Sequence, residues 1–82
     1  MIFVVCRYER WCRHWFRELA ERMEVSKVND NKMKIKLPSG QTVQFVPSTR
    51  LDTYMTGRHD VDVIYWEGDD ISELETKIER AA

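Results

Sequence analysis

The feature that most constrains the fold is an unbroken apolar run at the start of the chain, Ile2 to Cys6 (IFVVC). A strand with one wet face alternates apolar and polar residues, whereas a strand covered on both faces is apolar throughout. The run therefore predicts a strand inside a sheet, with other elements packed on both sides. A second, mostly apolar segment, Val61 to Trp66, predicts another strand near the opposite end of the chain.

The segment that follows the first strand, from Tyr8 to Met23, has the period of a helix. Its apolar residues recur every three or four positions, and most of its arginines fall on the other side. Arg7 precedes this segment where Ser, Thr or Asp would cap the free backbone N–H groups, so we expect a weakly capped first turn. A closing helix is predicted after Asp70, because Asp70 and Glu73 have the spacing of a capping box.

Between the two helices the period of the sequence changes to two. Lysines alternate with apolar residues from Lys32 to Leu37, and the turn sequence PSG leads into a second apolar run that ends at Val46. This pattern predicts a β-hairpin with a face lined by Lys32, Lys34 and Lys36. A short strand between Val25 and Asn29 is expected to precede it.

Together these elements predict an α/β fold built as one domain over residues 1–82. The expected architecture is a small sandwich whose central sheet contains two parallel strands near the termini plus the β-hairpin, with two main helices. The alternative is a two-layer α+β arrangement with both helices on one face of the sheet. A chain of 82 residues has room for one small core.

Composition argues against several classes of protein. The longest apolar run, residues 1–6, is far shorter than the about 20 residues that a membrane-spanning helix needs, and it does not resemble a signal peptide. We therefore expect a cytoplasmic protein with no membrane partner. Cys6 and Cys12 lack the spacing of metal ligands, so we expect two reduced, buried thiols and predict neither a metal site nor a cofactor.

The net charge of -1 conceals two halves of opposite charge. Residues 1–36 carry nine Lys and Arg against five Asp and Glu, and residues 37–82 carry four against nine. The halves are expected to attract each other, or each to present its own charged patch.

Two segments of the chain are candidate partner-binding sites. One is the predicted first helix, where Arg10, Trp11, Arg13 and Arg17 offer the residue types that anchor protein interfaces, and where arginines near the hairpin lysines could follow phosphates. The other is the acidic segment with Glu67, Asp69 and Asp70, which could imitate the phosphates of a nucleic acid. The alternatives are a solvated helix face for the first segment, and a helix cap for the second.

The order and spacing of three segments resemble those of a known fold. They are the strand and helix FVVCRYERWCRHWFRELAERM, the hairpin NKMKIKLPSGQTVQFVPS, and MTGRHDVDVIYWEG. In this order they resemble a fragment of the P-loop ATPase fold of phage large terminases and related helicase-like motors, in which a Gly-Arg segment leads into the acidic Walker B strand. The resemblance covers most of the chain and implies a small phage or prophage protein.

The chain departs from that family at the positions that carry catalysis. It has no G-x-x-x-x-G-K-[ST] phosphate loop, and Glu67 and Gly68 stand where the metal-side Asp and the catalytic Glu are expected. We therefore predict that the protein is not an enzyme.

The functional expectation is a non-catalytic, phage-type protein-interaction module that binds a host or phage protein. Its concrete form is an inhibitor of a bacterial defence system, similar to an anti-CRISPR protein. The alternative is a nucleic-acid-binding accessory protein of DNA packaging or replication. A homodimer is also left open, with the hairpin from Met33 to Val46 as the seam between the copies.

Overall fold

The computed structural model describes residues 1–81, in which five strands and three helices are formed. The strands are β1 (Ile2–Cys6), β2 (Lys27–Asn29), β3 (Lys34–Lys36), β4 (Thr42–Pro47) and β5 (Asp62–Tyr65). The helices are α1 (Glu9–Arg22), α2 (Leu51–Met55), which a 3₁₀ turn at Ser48–Arg50 precedes, and α3 (Ile71–Ala81). Over this range no helix combines the length and the apolar character needed to cross a membrane.

All five strands join one sheet in the order β2-β3-β4-β1-β5. β1 is parallel to both of its neighbours, so that Ile2 lies opposite Val43 on one side and Asp62 on the other. β2, β3 and β4 form antiparallel pairs. Every residue of β1 is buried, as its apolar sequence predicts, and the predicted α/β fold is confirmed.

Helices cover the two faces of the sheet unequally. α1 and α3 pack on the face that carries Ile2, Val4 and Cys6, and they bury their apolar residues in the main core. On the opposite face, the ring of Tyr54 from α2 meets Phe3 edge to face, with 6.2 Å between the ring centroids. Three layers result, which favours the sandwich over the two-layer alternative.

The N-termini of the two long helices agree in part with the sequence predictions. Asp70 caps α3, but within residues 1–81 no hydrogen bond joins the Asp70 backbone N–H to the side chain of Glu73, so the predicted capping box is half formed. Tyr8 occupies the N-cap position of α1 and makes no capping hydrogen bond with its side chain. Asp70 precedes α3, and its Oδ1 accepts a hydrogen bond of 2.9 Å from the backbone N–H of Ser72. This bond satisfies one of the free N–H groups at the start of the helix.

The basic and acidic halves of the chain meet where α1 packs beside α3. Arg22 Nε lies 2.6 Å from Glu75 Oε1, and this pair is the single ion pair found within residues 1–81. The predicted attraction between the halves thus takes the form of one partly exposed contact. Most charged side chains on each half face solvent instead.

The position of β4 overturns one prediction about oligomerisation. We expected the hairpin from Met33 to Val46 to form the seam of a homodimer, but β4 lies inside the sheet between β3 and β1. Its backbone groups are already paired on both sides. The open edges of the sheet belong to β2 and β5. The prediction that the hairpin pairs with a second copy is therefore wrong, because neither β3 nor β4 lies at an edge.

Candidate interaction groove

A groove of about 470 Å³ lies between the N-terminal half of α1 and the segment that follows β5. It is lined by Arg10, Trp11, His14, Trp15, Trp66, Glu67 and Gly68. Residues three and four positions apart share one face of a helix, so α1 supplies a continuous wall. The second wall comes from three consecutive residues after β5. We call this feature the interaction groove.

Two tryptophans pack together at the base of the interaction groove. The rings of Trp15 and Trp66 meet edge to face, with centroids 5.6 Å apart and planes at 88°. Trp66 is 3% exposed, and its backbone N–H donates a 2.9 Å hydrogen bond to the carbonyl of Val5. The base is therefore held by the sheet, and Trp66 belongs to the core as much as to the groove.

Gly68 lies directly against the indole ring of Trp66. A Cβ added to Gly68 would stand 2.5 Å from Trp66 Cη2 and 2.8 Å from Cζ2. Both distances are far below van der Waals contact, so only a residue without a side chain lets the segment after β5 approach the ring so closely. The shape of this wall depends on the glycine.

Exposed aromatic side chains lie at one edge of the interaction groove. Trp11 lines the groove, and Tyr8 lies outside the lining and packs against Trp11. Tyr8 is 45% exposed and Trp11 42% exposed, and their rings meet edge to face with centroids 5.1 Å apart. The guanidinium of Arg10 lies 4.8 Å from the centroid of the Tyr8 ring, a distance suited to a cation–π contact. Tyr, Trp and Arg are the residue types enriched among those that dominate binding energy at protein interfaces.

The two walls of the interaction groove carry opposite charges. Arg10 projects from α1, and Glu67 from the segment after β5. Neither of them belongs to an ion pair within residues 1–81, where the charged contact found joins α1 to α3 elsewhere. The groove thus presents a positive wall and a negative wall on either side of an aromatic base.

The structure brings together members of both predicted site segments, which the sequence had separated as alternatives. Arg10, Trp11 and Glu67 line the same groove. Arg13 and Arg17 instead line a second depression of about 380 Å³ on the outer surface of α1, together with Arg10, His14, Glu18 and Glu21. The two glutamates in this depression dilute its positive charge.

Two of the predicted acidic residues lie outside the interaction groove. Asp69 is exposed in the connection before α3, and Asp70 uses its carboxylate to hold the first turn of that helix. The helix-cap alternative for Asp70 is therefore confirmed. Of the acidic segment, Glu67 alone is placed in the groove.

Four residues of the interaction groove were not predicted as site residues: His14, Trp15, Trp66 and Gly68. The spacing of Trp11 and Trp15, one helical turn apart, was the available signal for Trp15. Trp66 closes the predicted second apolar strand, and it belongs both to the core and to the lining of the groove. No local pattern marks Gly68, because its role depends on the indole ring two residues before it.

The two thiols lie close together in the core rather than in a site. Cys6, at the end of β1, and Cys12, in α1, are free and buried. The hydrogen bond to Cys12, followed by burial, raises the pKa of the Cys6 thiol above its ordinary value. Cys6 is therefore held in its neutral form, which is a poor nucleophile. The same hydrogen bond lowers the pKa of Cys12, which is also buried. Among residues 1–81, no group of three or more His, Cys, Asp or Glu side chains is placed to hold a metal ion.

The carboxyl ends of the parallel strands form a small crevice beside the interaction groove. Ligands of open α/β sheets often bind in this region. Here the crevice holds about 90 Å³ and is lined in part by Arg7, Ser48 and Glu67. The hydroxyl of Ser48 donates a 3.3 Å hydrogen bond to the carbonyl of Arg7. The connection from β1 to α1 consists of Arg7 and Tyr8 alone.

Comparison with known proteins gives no relative: no protein-family model, no curated protein and no solved structure matches the chain significantly.

Proposed function

We propose that this chain is a non-catalytic protein-interaction module that binds a partner protein through the interaction groove. The observation that carries the proposal is a pair of exposed groove residues, Arg10 and Trp11, beside an aromatic base, with exposed Tyr8 packed against Trp11. In the free protein these large aromatic side chains are exposed to water. Covering them with a partner removes apolar surface from water, which favours binding.

The chemistry of the groove defines the partner segment. An aromatic or aliphatic side chain would pack against Trp11 and Trp15, and the opposite charges of Arg10 and Glu67 call for an acidic and a basic residue on either side of it. Complementary charges at a rim speed association and select the partner more than they add affinity. The segment is therefore expected to carry both signs of charge around one apolar anchor.

The proposed setting is a phage or prophage protein that acts in the bacterial cytoplasm on a host or phage protein, in the concrete case as an inhibitor of a defence system. Its support is the resemblance to a motor fold without a phosphate loop. The two-residue connection from β1 to α1 supports the non-catalytic part of the proposal rather than the setting, because a phosphate-binding loop of the Walker type needs several backbone N–H groups in that position.

The test is affinity capture from nuclease-treated bacterial lysate with three forms of the tagged protein, followed by quantitative mass spectrometry. The forms are the wild type, Trp11→Ala and the control Tyr65→Ala. Tyr65 is 70% exposed on β5 and lies outside the groove, so the control removes an exposed aromatic ring of comparable character. We expect one protein to be retained by the wild type and by Tyr65→Ala, and to be depleted about tenfold or more with Trp11→Ala.

Equal recovery with Trp11→Ala and with the wild type would refute the role of the groove. The wild type is also tested in untreated lysate. A protein recovered there but not from nuclease-treated lysate would be bridged by nucleic acid, and would favour the alternative of an accessory protein of DNA packaging or replication. Two single variants, Arg10→Glu and Glu67→Arg, test the contributions of the positive and the negative wall separately. Each single change should weaken retention of a partner that carries both charges.

A further inference from the structure

A second surface lies on the far side of the sheet from α1. Side chains alternate between the faces of a strand, so the residues beside buried Ile35 project away from the main core. Together with their neighbours on β2 and β4, these side chains form a shallow depression of about 240 Å³. It is lined by Lys27, Asn29, Lys34, Lys36 and Thr42. We call this surface the lysine face. α2 does not line it.

The register of the sheet concentrates positive charge on the lysine face. Lys27 of β2 lies directly opposite Lys36 of β3, and Asn29 lies opposite Lys34. Like charges directly opposite each other across a strand pair destabilise a sheet. No carboxylate within residues 1–81 forms an ion pair with any of these lysines. The chain therefore tolerates a repulsive arrangement that an anion would relieve.

Protection of the sheet edge does not explain this arrangement. Lysines on an edge strand discourage pairing with other chains, and β2 is an edge strand, so protection accounts for Lys27. Lys34 and Lys36 belong to β3, which is paired on both sides. Their charges do not block an edge that is already occupied.

Two hydrogen bonds hold the strands of the lysine face in place. Gln44, opposite Lys34, is 3% exposed, and its Nε2 donates a 3.2 Å hydrogen bond to the carbonyl of Lys32. The backbone N–H of Lys32 donates a 3.2 Å bond to Asn29 Oδ1. These two bonds fix the turn between β2 and β3 and hold the lysine-bearing strands in register. Lys32, which the sequence assigned to the same lysine-lined face, lies in this turn and does not line the depression.

We infer that the lysine face binds the phosphate backbone of a nucleic acid without regard to base sequence. Its charged groups are lysines, which act as point charges, and it contains no arginine fork of the kind that grips a single carboxylate in two places. It has no aromatic ring on which a base could stack. Such a surface fits a repeating polyanion and offers no contacts that would select an acidic peptide.

This inference is independent of the interaction groove. α1 covers the opposite face of the sheet, so Arg10, Arg13 and Arg17 cannot join the lysines in a single surface. The interpretation in which these arginines and the hairpin lysines share one phosphate-binding surface does not fit this arrangement. The two surfaces can be tested with separate variants, and the failure of one proposal leaves the other standing.

The test is fluorescence anisotropy of a labelled DNA duplex of mixed sequence and about 20 base pairs, titrated with the protein at several salt concentrations. Three phosphate contacts at about 0.9 counterions each predict a slope of about -2.7 for log K against log salt. The affinity should then fall about 40-fold between about 50 and about 200 mM salt. A duplex of different sequence should bind equally well.

Variants locate the binding surface. Each of Lys27→Ala, Lys34→Ala and Lys36→Ala should lower the magnitude of the slope by about one. Lys77→Ala, an exposed lysine on α3, is the matched control and should leave the slope unchanged. Circular dichroism checks that each variant folds. If an alanine variant does not fold, a Lys→Gln replacement at the same position removes the charge and keeps most of the side-chain length.

Three results would overturn the inference. The first is a salt slope near zero, or binding that is undetectable at low salt. The second is a slope that changes with Arg13→Ala and Arg17→Ala but not with the lysine variants, which would move the contact to α1. The third is a poly-glutamate peptide of equal charge that binds more tightly than the duplex, because the ligand would then be an acidic protein.

Discussion

At Gly68, a single added carbon atom would collide with the wall of the interaction groove. In a site with free space, Gly→Ala stabilises a protein by about 0.4–1 kcal/mol, because it restricts the unfolded chain. Here the new Cβ would lie 2.5 Å from Trp66 Cη2. We expect Gly68→Ala to lower the free energy of unfolding by about 1–3 kcal/mol, the usual cost of overpacking. Urea denaturation measures this change, including its sign.

A double-mutant cycle identifies the cause of that loss. Trp66→Phe removes the ring atoms that the new Cβ would meet, so Gly68→Ala should cost less in the Trp66→Phe background than in the wild type. Equal costs in the two backgrounds would mean that the backbone of Gly68, rather than the indole ring, sets the penalty.

Single residues differ in how much of their role the sequence reveals. Asp70 was predictable as a helix cap, because capping depends on neighbours within one turn and on side-chain chemistry. Gly68 was not predictable, because its close approach to Trp66 requires the bend of the chain after β5. Trp66 also buries an indole N–H that has no hydrogen-bond partner within residues 1–81. Such a cost, about 1–3 kcal/mol, cannot be seen in a sequence.

At the scale of strands, the lysine face makes a prediction about stability. Lys27→Glu replaces a repulsive cross-strand pair with an attractive one, since Lys27 lies opposite Lys36. We expect the free energy of unfolding to rise by about 0.2–1 kcal/mol at low salt. The same change should weaken DNA binding. Thermal or urea denaturation at low and high salt measures the first effect, and salt should reduce it.

Lys32→Glu serves as the control for this change. It alters the net charge of the chain by the same amount, but Lys32 lies in the turn before β3 and faces no lysine across a strand pair. If both variants gain the same stability, the effect comes from overall charge and not from the cross-strand pair.

Periodicity revealed the elements, but not how they pair. The alternation of apolar residues and lysines placed Lys34 and Lys36 on one face correctly. It did not place Lys27 opposite Lys36, because the pairing of β2 with β3 depends on the turn between them. Met33, at the end of that turn, has a φ of 52°, which non-glycine residues seldom adopt. A single residue more or less in the turn would bring different side chains to the same face.

At the scale of the whole molecule, the buried thiols report on global unfolding. Cys6 is 1% exposed and lies on β1, the strand with neighbours on both sides. We expect a thiol reagent to label Cys6 only after the sheet opens. In a Cys12→Ala variant, the free energy of opening derived from labelling should fall with urea as steeply as the equilibrium free energy of unfolding. A much weaker dependence on urea would show local opening instead.

The same thiol gives stability a dependence on pH. The raised pKa of Cys6 in the folded state means that folding favours the neutral thiol. Its contribution to stability is fully present below the pKa of an unfolded cysteine, about 8.5, and is lost progressively as the pH rises above that value. Denaturation midpoints measured on both sides of this pH should reflect that loss. A double variant, Cys6→Ala with Cys12→Ala, which removes both members of the hydrogen-bonded thiol pair, should reduce it.

The fold class followed from the sequence because β1 can be apolar on both faces only inside a sheet. The identity of its neighbours did not follow. The parallel pairing with β5 was predicted, but the pairing of β1 with β4 places the hairpin beside β1 and takes β4 away from the edge. Which strands become neighbours is decided by the lengths of the connections and by how α1 and α3 share one face. These are properties of the assembled molecule.

The central position of β1 also affects how the chain is made. β1 leaves the ribosome before both of its partner strands, Thr42–Pro47 and Asp62–Tyr65. The most apolar strand therefore has no neighbouring strand while residues 7–41 are synthesised. Pairings so distant in sequence form slowly, and unpaired apolar strands associate with other chains. The growing protein is most exposed to misassembly before β5 is synthesised, because β5 supplies the second neighbour of β1.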